Sequence, residues 1–153
     1  MTGVEEAFVS LFLSYLFKQV EPNIKIESAP YWYMKEIDKN KYTKSTYFDG
    51  DIDSILKAKE KLKNLFIKRI DESSQKTSDA INARITSKNN DVTRFVSKNI
   101  IYENIKYSEE QKRTFIRGFI LKSNLESYQR KRLYKSKIKS LDNSFDEMMN
   151  EIE

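Results

Sequence analysis

The chain has 153 residues, with 28 Lys and Arg against 23 Asp and Glu and a formal net charge of +5. It contains no Cys, no His and only three Gly, which excludes disulfides, thiolate chemistry, zinc–thiolate sites and Cys-borne lipids within these residues, removes the commonest general base, and leaves no phosphate-cradling glycine loop. The length fits one domain with an appended helix, and 12% aromatic residues supply enough apolar bulk for a core.

Val4 to Val20 predicts an apolar helix. Ala7 to Phe17 is apolar on all sides. It is shorter than the roughly 20 residues a bilayer span needs, and Glu5 and Glu6 stand where a signal peptide carries Lys or Arg. Packing on the domain or on a twin is the preferred reading, ahead of peripheral membrane contact. Phe8, Leu11, Phe12, Tyr15 and Leu16 are the candidate oligomer-contact residues. Pro22 ends the helix. Residues 1–22 are therefore read as an N-terminal helix and residues 23–153 as one α+β domain.

Ile24 and Ile26 alternate with Lys25 and Glu27 as a short edge strand. Pro30-Tyr31-Trp32-Tyr33-Met34 follows, with Trp32 read as a plug at one end of the core rather than a stacking platform. Tyr42 to Phe48 predicts a strand and Asp49-Gly50 a turn, with Asp51 or Asp53 capping the next helix. Asp49, Asp51, Asp53 and Glu60 have the spacing of a calcium loop, but Ser54 occupies the position that needs Gly, so turn plus cap is preferred.

The long helix shows its apolar period in Ile52, Ile55, Leu56, Leu62, Leu65, Phe66 and Ile70. It is expected to run through the polar stretch Asp71 to Asp79 with a solvent-exposed middle, and to break at Ser87 to Asp91. Val92, Phe95 and Val96 mark a short helix. Ile100 to Tyr107 predicts a second strand, Ser108 to Lys112 a hairpin loop, and Thr114 to Leu121 the third and most buried strand. Along that strand Phe115, Arg117, Phe119 and Leu121 share one face and Ile116, Gly118 and Ile120 the other. Gly118 signals a bulge or a close backbone approach. Asn124 is expected to cap a final helix.

That order predicts an α+β fold: a small, three-stranded, mostly antiparallel sheet packed by a long helix, with N-terminal and C-terminal helices. Three strands leave part of the helix uncovered, so a homodimer is expected.

The final helix is the basic one. From Lys122 to Lys139, seven positive side chains stand against Glu126. Arg130, Lys131, Arg132, Lys135, Lys137 and Lys139, with Arg113 and Arg117 from the hairpin, are the candidate contacts for DNA, RNA or another anionic surface. Plain solvation of a charged face is the competing reading and ranks above it.

The proline–aromatic entry Pro30-Tyr31-Trp32, the Asp49-Gly50 turn, the Lys-rich helix, the strand FIRGFIL and a closing helix with Leu125 and Tyr128 resemble the LPP-twenty-type envelope lipoproteins of bacteria, and within them the TNF-alpha-inducing proteins of epsilonproteobacteria. The resemblance spans about residues 29–143. It implies a dodecin-like helix-on-sheet layer, dimers, and a place in the envelope or outside the cell, in adhesion, virulence or host-cell contact, with DNA binding in the inducing branch. The family's lipid-bearing Cys is missing here, so lipid anchoring does not carry over. The expectation is a non-enzymatic interaction protein with no cofactor and no metal, in the envelope or secreted as the resemblance implies and cytoplasmic otherwise. Nucleic-acid binding is the alternative.

Overall fold

The computed structural model describes residues 3–18, 26, 28–35, 38–81 and 91–133. Helix α1 spans Gly3–Phe17, strand β1 Lys41–Asp49, helix α2 Ser54–Ile81, helix α3 Asp91–Asn99, strand β2 Ile101–Ser108 and strand β3 Arg113–Leu121. A fourth helix, α4, occupies residues 122–133. The sheet has the order β1-β3-β2, and both pairings are antiparallel. The fold is the expected α+β arrangement, a three-stranded sheet with a long helix across one face.

β3 is the central strand, and its two-residue alternation divides the interior. Ile116 and Ile120 point under α2 and pack with Ala58, Leu62, Phe66 and Ile70. Phe115 points the other way and packs with Trp32 and Tyr33. The faces assigned from the sequence hold. Trp32 is buried as expected of a core plug, but it covers the second face of the sheet rather than an end of the main core.

Of the two readings of Gly118, the close backbone approach holds, and the bulge lies on the neighbouring strand. A Cβ there would lie 2.7 Å from the carbonyl oxygen of Ile101 and 3.0 Å from Leu62 Cδ2. Opposite it, β2 changes register between Tyr102 and Asn104, so Glu103 is the extra residue of a bulge.

α2 corrects the sequence reading in two ways. Its buried stripe is Ser54, Ala58, Leu62, Phe66 and Ile70, at a strict four-residue spacing, continuing into Ser73, Ser74 and Thr77. Ile52 and Leu56 lie off that stripe and are 68% and 74% exposed. One side of the polar middle, expected in solvent, is buried while Asp71, Glu72, Gln75, Lys76 and Asp79 are exposed: Thr77 Oγ1 donates to the Ser73 carbonyl at 2.7 Å, and Ser74 Oγ meets α4. Short hydroxyl side chains replace apolar ones there because their neighbours on α4 are polar.

α4 begins at residue 122, directly after β3, so Asn124 lies inside its first turn and is not the cap. Lys122 N–H donates to the Asn40 carbonyl at 2.9 Å, which ties this junction to the start of β1. The strand expected at Ile24 and Ile26 falls outside the described residues except for Ile26, which is in no strand. The helix beyond Ile81 and most of the break expected at Ser87 to Asp91 also lie outside them.

Candidate interaction surface

The cationic residues singled out from the sequence do not form one face. Arg117 is 6% exposed. Its guanidinium donates to the backbone carbonyl of Trp32 and, at 3.0 Å, to that of Lys35. It pins the Pro30–Lys35 turn onto the second face of the sheet. Arg113 is bound to Asp49, with Nε 2.5 Å from Oδ1, and lies over the Tyr47 ring at 4.1 Å. That hydrogen bond is the main reason the Asp49 carboxyl is held below its ordinary value; desolvation opposes it, and the positive charges of Arg113 and Lys61 add to the lowering.

Arg132 is 6% exposed, 3.3 Å from Ser74 Oγ, and over the Tyr128 ring. Ser74 Oγ also accepts from Gln129 Nε2 at 2.8 Å. Arg117 and Arg132 are thus withdrawn from solvent by packing, which corrects their place among the phosphate-contact candidates. Arg130 is half-buried and Lys131 exposed. Lys135, Lys137 and Lys139 lie outside the described residues. Beside the seam Tyr128 stacks on Phe95 at 4.2 Å. Burial pushes the Tyr128 hydroxyl up, Asp91 and Asp71 add to this, and Arg132 opposes it.

The candidate oligomer contacts on α1 divide as well. Phe8, Phe12 and Leu16 are at most 1% exposed within their own chain, and α1 lies against α2. The intramolecular reading accounts for these three, so they offer no surface to a twin. Leu11 and Tyr15 are half-buried. Glu5 and Glu6 in the first turn suit the positive end of the helix dipole. No described helix is long and apolar enough to cross a membrane.

Apart from Phe17 at the end of α1, the exposed large apolar side chains lie elsewhere. Ile52, in the turn just before α2, and Leu56, in its first turn, are exposed. The Lys59 side of the helix faces β2: Tyr102 OH donates to the Lys59 carbonyl at 3.3 Å, and Lys59 Nζ lies 5.5 Å from the centre of the Tyr102 ring. Ile105 on β2 is opposite Ile116, and so is on the α2 face of the sheet. It is 38% exposed. Ile52, Leu56 and Ile105 are thus exposed aliphatic side chains at the start of α2 and on the edge strand. Sequence reasoning placed Ile52 and Leu56 in the core. The signal against that was the Ser54-Ala58-Leu62-Phe66-Ile70 spacing, which excludes both.

The β1 flank is closed. Lys61 Nζ, 5.0 Å above the Tyr47 ring, donates to the Tyr47 carbonyl at 2.6 Å and so occupies an outward group of edge strand β1. Asp51 pairs with Lys112 at 3.3 Å. With Asp49 and Asp51 each held by a cation and α2 starting at Ser54, this acidic run is a turn leading into the helix. Among the described residues no group of three acidic side chains could hold a metal ion.

The architecture defines the class, a helix-on-sheet α+β domain with terminal helices. The chain matches no protein-family model, no curated protein and no solved structure.

Proposed function

We propose that this chain is a non-enzymatic interaction protein that works as a dimer through protein contacts. The observation that carries the reading is the exposure of three aliphatic side chains, Ile52, Leu56 and Ile105, on a chain that is one-third charged. Fully covering an aliphatic side chain contributes about 1.5–3 kcal/mol, so a partner that covers them has a driving force there. Of the eight cations offered for a nucleic-acid face, Arg113, Arg117 and Arg132 are engaged within the chain. The envelope or extracellular setting is carried by the resemblance of residues 29–143 alone.

The test is a titration of labelled mixed-sequence duplex DNA at low and high salt, with mass recorded by light scattering in the same samples. A dimer that leaves the duplex free supports the reading. Tight binding that collapses at high salt replaces it with nucleic-acid binding, and a monomer removes the dimer from it.

A further inference from the structure

We infer that α2 receives an acidic polypeptide segment of a partner protein along the row Lys57, Lys61, Asn64 and Lys68. The inference gives a chemistry to one of the protein contacts of the proposed function and rests on that reading.

The row follows from the helical period. From Lys57 to Arg69 six cationic side chains stand against one acid, Glu60. Lys57, Lys61, Asn64 and Lys68 lie at i, i+4, i+7 and i+11 in α2, and all four are exposed. They share one outward face, about 16 Å long at 1.5 Å per residue. The buried stripe of Ala58, Leu62 and Phe66 takes another face. Lys57 and Lys61, one turn apart, repel one another. Among the described residues no ion pair engages Lys57, Lys61 or Lys68. A carboxylate laid along the row relieves that repulsion.

Two of the three lysines are already placed. Lys57 Nζ lies 5.9 Å from the centre of the Phe48 ring, and Lys61 Nζ 5.0 Å from that of Tyr47. Both rings belong to β1, so the stems rest on the edge of the sheet with their charges at its surface. Side chains ordered before binding lose less freedom when a partner arrives.

The ends of the row select the partner. Asp51 and Asp53 stand exposed before the helix, Asp71 and Glu72 stand exposed beyond Lys68, and Glu60 is exposed beside the row. A DNA duplex carries one negative charge per about 1.7 Å of its axis. Lying along α2, it runs past both ends of the row onto these acids, and a flat anionic membrane meets them as well. A short segment with a few carboxylates fits between them.

The experiment is binding of labelled poly-L-glutamate to the full chain at neutral pH and at low and high salt. Labelled mixed-sequence duplex DNA and phosphatidylserine vesicles are measured alongside. Two double variants carry the same change of net charge. Lys57→Glu with Lys68→Glu reverses both ends of the row and leaves the Lys61 hydrogen bond in place. Lys35→Glu with Lys106→Glu reverses two exposed lysines on the other side of the sheet, where Lys35 ends the turn over the second face and Lys106 is opposite Phe115. Circular dichroism melts accompany each.

The wild type should bind polyglutamate, more weakly at high salt. The row variant should bind about tenfold more weakly, and the other should stay within about threefold of the wild type. Lys57→Gln with Lys68→Gln should weaken binding by a smaller factor, which separates loss of charge from any loss of fold. Equal losses in the two reversal variants assign the binding to net charge and overturn the row. A folded wild type that ignores polyglutamate overturns the inference and leaves the dimer standing. Vesicles held more tightly than polyglutamate overturn the acidic polypeptide as the occupant. A duplex held more tightly overturns it too, and the proposed function with it.

Discussion

Arg117 on the central strand donates to the backbone carbonyl of Trp32, 85 residues earlier in the chain. With its second bond, to the Lys35 carbonyl, it fixes the turn that covers the second face of the sheet. A buried cation satisfied by carbonyl groups holds its segment by direction as well as by charge, and removing it leaves those acceptors with no donor. Arg117→Met is expected to destabilise the protein by about 2–4 kcal/mol. Trp32 is the chain's one tryptophan, so its emission reports this cluster directly. Urea unfolding followed by that emission should show a lower midpoint and a red-shifted native signal. An unchanged midpoint would refute the pinning role.

The close approach at Gly118 yields a second expectation. In Gly118→Ala the new Cβ meets the Ile101 carbonyl oxygen, a backbone atom of the neighbouring strand that cannot swing aside. The strands must part or the bulge must shift, at a cost of about 1–3 kcal/mol. Gly3 is the control, because a Cβ there meets nothing within 4 Å. Gly3→Ala should change stability by less than about 0.5 kcal/mol, as at other open surface positions. Equal effects at the two positions, in parallel thermal melts, would sink the steric argument.

These two residues also show what the sequence revealed and what it hid. The alternation along Thr114 to Leu121 assigned both faces of β3 and marked Gly118, because strand periodicity is local and strict. The role of Arg117 was not legible. Its acceptors are backbone carbonyls, which carry no side-chain signature, so a strand arginine beside a basic helix read as a phosphate contact. Ser73, Ser74 and Thr77 misled for the same kind of reason. Ser74 is matched by Gln129, 55 residues away, and nothing near it in the chain signals burial. The exposed pair was masked by an abundance of aliphatic residues. Ile52 and Leu56 fit an approximate helical period, and only the stricter spacing of the buried stripe separates them from the core.

The Asp49–Arg113 pair sets a pH dependence with a definite sign. The Asp49 carboxyl is held below its ordinary value, chiefly by its hydrogen bond to Arg113. A group whose folded value is depressed adds stability above its unfolded value, and that stability is lost as pH falls through the folded one. The contribution should therefore be complete at neutral pH and disappear in acid, from about pH 4 downwards. The Asp49 side chain is 63% exposed, so the effect is small and screened by salt. Melting temperatures of the wild type and Asp49→Asn should differ at pH 7, with the difference shrinking progressively as the pH falls below about 4 and smaller at pH 7 in high salt. A gap that does not shrink in acid would assign the effect to something other than this ion pair.

The seam between α2 and α4 is polar on both sides, and its response to substitution should depend on the order of removal. Ser74 Oγ is shared by Gln129 Nε2 and Arg132 Nη1, while Gln129 Oε1 and Arg132 Nε have no partner among the described residues. Ser74→Ala strands the amide of a fully buried Gln129 and should cost about 1–3 kcal/mol, the penalty of a buried donor left unmade. Gln129→Leu removes the amide together with its unpaired oxygen and replaces them with apolar volume beside Leu125 and Leu133, which are also buried. It should cost less than Ser74→Ala. Combining the two removes the mismatch from both sides, so the double variant should be more stable than Ser74→Ala alone, with a coupling of about 0.5–3 kcal/mol in the cycle. Chemical denaturation of the four proteins measures it. Strict additivity would mean that the hydroxyl and the amide do not depend on one another, and that α4 is held to α2 by Leu125 and Leu133 alone.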